Sequence, residues 1–384
     1  MTVIHSALIV SSGSIEQDGW VRFDGERIAA RGTGDSWRAE TDDTVVDARG
    51  GVLTPGFIDL HCHGGGTAGF DGDVEEIRAA LAVHRAHGTT RSVLSLVTAK
   101  VADLEGQLAT IASVAEDDPL VLGSHLEGPF LDAQHKGAHD EALLTDPTAE
   151  RVEALLTAAR GTLAQVTLAP EKTHALDATR RFAEAGVRVA VGHTAADRDG
   201  ALAAFDAGAS ILTHAFNAMD GLHHRAPGPI GAALARDHVT LELINDGVHV
   251  EPVISRMLFD AAPGRVALIT DAMAAAGAAD GVYILGSLSV TVTDGVARLT
   301  DGGSIAGSTL TMDGALRQSV GACGIELATA VDALTRIPAR ALGRDGDLGV
   351  LEAGFAADAV LLTPELEVTR VWGAGTPLAV PAGN

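Results

Sequence analysis

The sequence predicts an α/β fold, a (β/α)8 TIM-like barrel with a small β-sandwich domain built from both chain termini. Three observations predict it. Short apolar runs alternate with helical segments through the middle of the chain. The two ends read as closely spaced strands and turns. The middle runs finish, one after another, in histidine, glutamate or aspartate.

The alternation sets the fold class. Eight apolar strand candidates follow one another: Gly56–His63, Arg91–Thr98, Leu120–Glu127, Ala164–Pro170, Val187–His193, Ser210–His214, Thr240–Asp246 and Val266–Asp271. Segments rich in Ala, Leu, Glu and Arg separate them, such as Val74–His87, Ala149–Ala159 and Leu176–Ala185. Strands that alternate with helices imply a parallel sheet, and eight units favour a closed barrel over an open sheet. Residues 282–300 interrupt the rhythm as a β-hairpin turning at Asp294-Gly295, a dipeptide suited to a tight turn.

The ends differ in style. Residues 1–52 supply short strands at Val3-Ile4, Ala7–Val10 and Gly19–Phe23, with a turn at Asp24-Gly25. After Leu348 the same style returns in Ala359–Leu362 and Glu367–Trp372. Each end alone has too few strands to be stable. Residues 1–52 and 348–384 are therefore expected to meet in one small domain, leaving 53–347 as the barrel.

Composition narrows the function classes. The 384 residues carry 27 basic and 51 acidic side chains, a net charge of −24. That argues against nucleic-acid binding, whose footprint is a basic face. An anionic substrate would need a local positive patch, because the global field repels it. Lysine occurs only at Lys100, Lys136 and Lys172, so arginines, histidines and backbone amides must supply that patch. Cys62 and Cys323 imply no disulfide framework. No apolar run reaches the length of a bilayer span, and the N-terminus lacks the marks of a secretory signal. No membrane association and a cytoplasmic location are the expectations. No Walker-type loop or dinucleotide fingerprint is present, so no nucleotide cofactor is implied.

In a (β/α)8 barrel the active site lies at the C-terminal ends of the strands. Those ends carry His61 and His63, Glu127, His193, His214 and Asp271. On a strand, residues i and i+2 share a face, so His61 and His63 can address one point. Metal-binding residue types thus fall at the end of strand after strand, which a purely structural barrel does not need.

The run Pro55–Gly64 (PGFIDLHCHG) resembles the first-strand motif of the amidohydrolase superfamily, as does the C-terminal stretch Gly354–Val360. The inner blocks are more specific: His125–Phe130, Lys136–His139, Leu168–Glu171, Gly192–Thr194, Thr213–Met219, Asp246–His249 and Thr270–Met273. In this order they resemble the N-acetylglucosamine-6-phosphate deacetylase family over essentially the whole chain. The resemblance implies that Glu127, His193 and His214 bind a divalent metal, with zinc first and iron, manganese, cobalt or cadmium as alternatives. His61 and His63 open a second site bridged by Glu127, giving one or two ions per subunit. Some members keep that pair and others replace it with amides. The resemblance further implies deacetylation by a metal-activated water, with Asp271 as acid and base. Ala138 and His139 would contact the substrate or the tetrahedral oxyanion from a mobile connection. Phosphate would be met by Arg225, His249 and backbone N–H groups at Asn217 and Ala218, with Ile305, Ala306 and Gly307 as a lining turn. In relatives the arginine at 225 can reach across a subunit interface, so a homodimer with shared sites is expected.

Other readings stay open at this point. A cyclic-amide hydrolase of the same superfamily would bridge its metals with a carbamylated lysine ending the fourth strand, whereas here that strand ends Ala169-Pro170-Glu171. A deacetylase of N-acetylgalactosamine 6-phosphate differs from the first reading by one hydroxyl epimer. A non-catalytic barrel would have lost at least one of Glu127, His193, His214 or Asp271.

Overall fold

The computed structural model describes residues 1–39 and 42–380. Eight strands form the parallel sheet: β1 (Phe57–Cys62), β2 (Thr89–Val97), β3 (Val121–Glu127), β4 (Leu163–Leu168), β5 (Arg188–Val191), β6 (Ala209–Leu212), β7 (Thr240–Ile244) and β8 (Val266–Ile269). They pair in sequence order. All residues of β1, β2, β7 and β8 are buried, as expected of strands covered on both faces. The ring is joined beyond β8, where the Asp271 N–H donates to the His61 carbonyl (2.8 Å) and the His63 N–H to that of Ala272 (2.7 Å).

The helices between strands follow the sequence signals. In Ala175–Glu184 the buried residues Ala175, Ala178, Thr179 and Phe182 recur at helical spacing, a single apolar stripe. Helix Arg198–Asp206 opens on Asp197, whose Oδ1 accepts from the Gly200 N–H at 2.8 Å, satisfying one orphan donor of its first turn. The excursion after β8 is a three-stranded antiparallel sheet, Gly281–Leu285, Leu288–Thr293 and Val296–Leu299. Its second turn places Asp294 and Gly295 at φ 51° and 74°, the left-handed pair that the dipeptide predicts.

Two compact units emerge. One comprises Met1–Asp59, His84–Arg91 and Thr311–Asn384, and the other Leu60–Val83 and Ser92–Leu310. In the first, strands from the two ends join in one mixed eight-stranded sheet, with Val52–Pro55 antiparallel to Ala359–Leu362 and parallel to Thr2–Ser11. Its core includes Ile4, Ile9, Val21, Phe23 and Trp372, the last two rings meeting edge to face at 6.3 Å.

The same unit holds the helix Met312–Gly321. Near its start Asp313 is buried, accepting from His87 Nδ1 (3.1 Å), Thr311 Oγ1 (2.6 Å), the Gly314 N–H (2.9 Å) and Arg317 Nη1 (2.9 Å). Burial alone would raise its pKa; the hydrogen bonds and positive charge of His87, Thr311 and Arg317 outweigh it and hold the group at about 2. A carboxylate whose folded pKa is depressed stabilises the fold above its unfolded pKa, and loses that contribution as pH falls through the folded value. Asp313→Asn is therefore expected to cost about 2 kcal/mol at neutral pH. In urea melts the gap to the parent should narrow between about pH 4 and pH 2; a gap that stays constant would refute the ionised role.

Candidate metal centre

The site residues sit where the strands stop. Glu127 is the last residue of β3, His61 lies within β1, and His63 follows it. His193, His214 and Asp271 were expected to end their strands, but β5, β6 and β8 stop two residues earlier. The reason is backbone conformation: these three residues have φ of 47°, 24° and 48°. Left-handed geometry breaks the ladder and costs about 1–3 kcal/mol per non-glycine residue, strain that accumulates at functional sites.

The side chains converge on one carboxylate. Glu127 Oε1 lies 3.0 Å from His193 Nε2, 3.0 Å from His214 Nε2 and 3.4 Å from His61 Nε2. Its Oε2 lies 3.1 Å from His63 Nε2 and 3.4 Å from His139 Nε2. Asp271 Oδ1 stands 3.3 Å from His63 Nε2 and 3.5 Å from His61 Nε2. All seven side chains are nearly or wholly buried.

Hydrogen bonds to the outer ring nitrogens test whether a cation fits. His193 Nδ1 faces the His135 carbonyl at 2.9 Å. A carbonyl only accepts, so Nδ1 carries a proton, and Nε2 is the nitrogen that faces Glu127 and, at 3.0 Å, His214 Nε2. His61 Nε2 and His63 Nε2 are likewise 3.1 Å apart. The Nδ1 atoms of His63 and His214 are buried with no hydrogen-bond partner among the described residues. Imidazole nitrogens packed this closely around two carboxylates form a set of lone pairs that a divalent cation satisfies. His61, His63, Glu127 and Asp271 offer ligand atoms within 4.8 Å of one another, as do Glu127, His139 and His193.

The electrostatics agree. Burial opposes ionisation of Glu127, but the charge on His61 and hydrogen bonds from His139 and His193 hold its pKa well below the usual range. Asp271 is also lowered, against its burial, chiefly by His61 and His63. Burial would depress His61 and His63, yet the two carboxylates raise His61 well above its ordinary value and His63 to about 9. Protons on these rings and a cation between them answer the same negative charge, so they are alternatives. His139 goes the other way, to about 4, because burial dominates. The Thr98 N–H donates to its Nδ1 (3.3 Å), which leaves Nε2–H as a neutral donor facing the cluster.

A cavity of about 350 Å³ opens above this floor. Ala138, Asn217, Ala218, His249, Ile305 and Gly307 line it. Ala306 is fully buried behind the lining and His61 beneath it. Arg225 is not brought to the cavity by its own chain; it stands on the exposed stretch 220–226. The Asn217 N–H is engaged with the His214 carbonyl at 3.0 Å, so the tight turn uses a donor expected to face the substrate.

Sequence reasoning missed Gly137, Val97, Leu285 and Ser304 in the lining. A Cβ at Gly137 would stand 3.1 Å from His193 Cε1, and one at Gly307 3.0 Å from the Asp271 carbonyl. Asp246 was quoted only as part of a motif. Its Oδ2 lies 2.7 Å from His249 Nδ1, and its Oδ1 accepts the Val248 and His249 N–H groups at 2.8 Å. It thereby orients the imidazole that lines the cavity.

The sequence profile of the amidohydrolase family matches residues 52–378. The chain belongs to the amidohydrolase family. It is 41% identical over 333 residues to an N-acetylgalactosamine-6-phosphate deacetylase of Escherichia coli O157:H7, covering 86% of this chain and 88% of that one. It is 36% identical over 327 residues to an N-acetylglucosamine-6-phosphate deacetylase of Vibrio furnissii, covering 84% and 82%. Among solved structures, the D267A mutant of N-acetyl-D-glucosamine-6-phosphate deacetylase from Mycobacterium smegmatis, in complex with N-acetyl-D-glucosamine-6-phosphate, superposes with a TM-score of 0.93. Its identity is 41%, and the match covers 99% of both chains.

Proposed function

We propose that this protein hydrolyses N-acetyl-D-glucosamine 6-phosphate to D-glucosamine 6-phosphate and acetate, with Glu127, His193 and His214 holding a divalent metal and His61 and His63 completing a second position. The observation that carries the reading is the convergence of five imidazoles on the Glu127 carboxylate, with Asp271 beside them at the floor of the cavity. Zinc suits this mixed nitrogen and oxygen set, and iron, manganese, cobalt or cadmium would also be accepted. Such an ion supplies Lewis acidity towards the acetamide carbonyl and the attacking water.

The chain's own groups do the rest. Asp271, ionised by its surroundings, takes a proton from the attacking water as the new C–O bond forms, and passes it to the amine nitrogen as the C–N bond breaks. Without that proton the amine is a poor leaving group. His139 donates its Nε2–H to the tetrahedral oxyanion, a role that a neutral imidazole fills. His249, oriented by Asp246, and the Ala218 N–H face the phosphate from within the subunit.

The remaining positive charge is assigned to Arg225 of a second copy in a homodimer. Its exposure within its own chain supports this, as do the exposed apolar side chains Leu222, Val248, Val253 and Met257, which flank Arg225 and His249 in sequence. Among the described residues no helix is long and apolar enough to cross a membrane. A phosphorylated sugar is too polar to cross a bilayer unaided, and we assign its hydrolysis to the cytoplasm on that ground.

Acetate release tests the proposal. With metal supplied, N-acetylglucosamine 6-phosphate should exceed unphosphorylated N-acetylglucosamine in kcat/KM by roughly 100-fold, the worth of one or two charge-assisted hydrogen bonds. Equal turnover of the two would remove the phosphate site. The galactosamine epimer belongs in the same assay, because the Escherichia coli relative is named for it; a preference for it would move the substrate assignment to that sugar.

A further inference from the structure

Glu242 lies on β7, is wholly buried, and takes part in nothing described above. A carboxylate there is out of character. Barrel interiors are layered mainly with branched apolar side chains, and an ionised group is costly to bury unless its oxygens are satisfied. These oxygens are. Oε1 accepts from Gln165 Nε2 at 2.8 Å. Oε2 accepts the His214 backbone N–H at 3.4 Å and lies 3.3 Å from His61 Nδ1.

We infer that Glu242 is a positioning residue for the metal centre: by accepting the Nδ1–H of His61 it fixes the tautomer whose Nε2 lone pair faces Glu127 and Asp271, and so strengthens cation binding on the His61–His63 side. The inference rests on the metal-centre reading proposed above. Both ring nitrogens of His61 face carboxylates, which only accept; with a cation in place of the proton on the Nε2 side, the remaining hydrogen sits on Nδ1, facing Glu242. A histidine that donates its outer N–H to a carboxylate is held in orientation and made a more basic ligand.

Among the histidines of the cluster, His61 alone has a carboxylate at its outer nitrogen. His193 uses the His135 carbonyl, and His214 Nδ1 has no partner among the described residues. The charge of Glu242 therefore acts selectively. Its contact with the His214 backbone also ties together the two sides of the centre.

Two variants separate this role from a purely structural one. In Glu242→Gln the new amide can still accept from His61, while Gln165 turns over to meet its N–H with Oε1, an atom that lacks a partner now. The hydrogen bond survives and the charge does not. Glu242→Leu removes both and leaves Gln165 Nε2, the His214 N–H and His61 Nδ1 without their acceptor, which costs stability.

Titration of the chelator-treated protein with Co²⁺ or Zn²⁺, followed by calorimetry, reads the dissociation constant of the more weakly held ion. That ion should bind roughly 10-fold more weakly to the Gln variant and up to roughly 100-fold more weakly to the Leu variant. The thermal midpoint of the chelated protein should stay near that of the parent in the Gln variant, whose hydrogen bonds survive, and fall in the Leu variant. Wild-type affinity in both variants, or in the Gln variant alone where the Leu variant does not fold, overturns the inference and leaves the metal centre standing. A parent chain that binds no ion overturns both.

Discussion

Asp271→Asn loses roughly 10²- to 10⁴-fold in kcat, the usual contribution of a general acid and base, while KM and metal content stay near those of the parent. The substitution is well matched to the site. Asn keeps the volume and one oxygen, and it tolerates the left-handed φ of 48° better than most residues. The backbone bond from residue 271 to the His61 carbonyl survives. What disappears is a base held ionised beside His61 and His63. Acetate release measured alongside metal analysis checks the result. Full activity in this variant would move the proton transfer to another group.

Glu127→Gln should be more severe, because it removes the charge that gathers the cluster. Five imidazoles address this carboxylate, and an amide in its place brings an N–H into a ring of ligand lone pairs. Metal binding should weaken by more than the roughly 10- to 100-fold that loss of an outer-shell partner costs, with activity falling in step. His61 and His63 should also lose much of the upward pull on their pKa, since Glu127 supplies much of it. Metal analysis of the purified variant and NMR titration of the histidines read the two effects separately. Stoichiometric metal at parental affinity would exclude Glu127 as a ligand.

Much of the barrel could be read before any coordinates. Continuous apolar runs separated by helical segments leave few alternatives to a parallel sheet, and eight such units were counted and found. The strand ends were less legible. Nothing in Val191-Gly192-His193 or Leu212-Thr213-His214 announces a left-handed histidine, because the conformation is imposed by the convergence of the site and not by local propensity. Glu242 was hidden for a related reason. Within Leu241–Ile244 it reads as an ordinary alternation, and its partners Gln165 and His61 lie 77 and 181 residues away. Arg225 shows the converse limit: a sequence block can mark a residue for the substrate while the fold of a single chain leaves it exposed.

The joint between Asp271 and His61 has a consequence for biosynthesis. It links the first and last strands of the ring, and the loop it closes spans most of the barrel. Contacts of such long range carry the largest loop-closure entropy and form late. Two residues of the centre, one on each side of the joint, are the very residues it brings together. A ribosome-bound chain lacking β8 would thus have Glu127 and every histidine of the centre, but neither Asp271 nor the backbone bond that holds it against His61. In small zinc domains the ion drives the chain to fold; here closure of the barrel is what sets Asp271 beside His61 and His63, so the proposed acid and base would be the last group of the site to arrive.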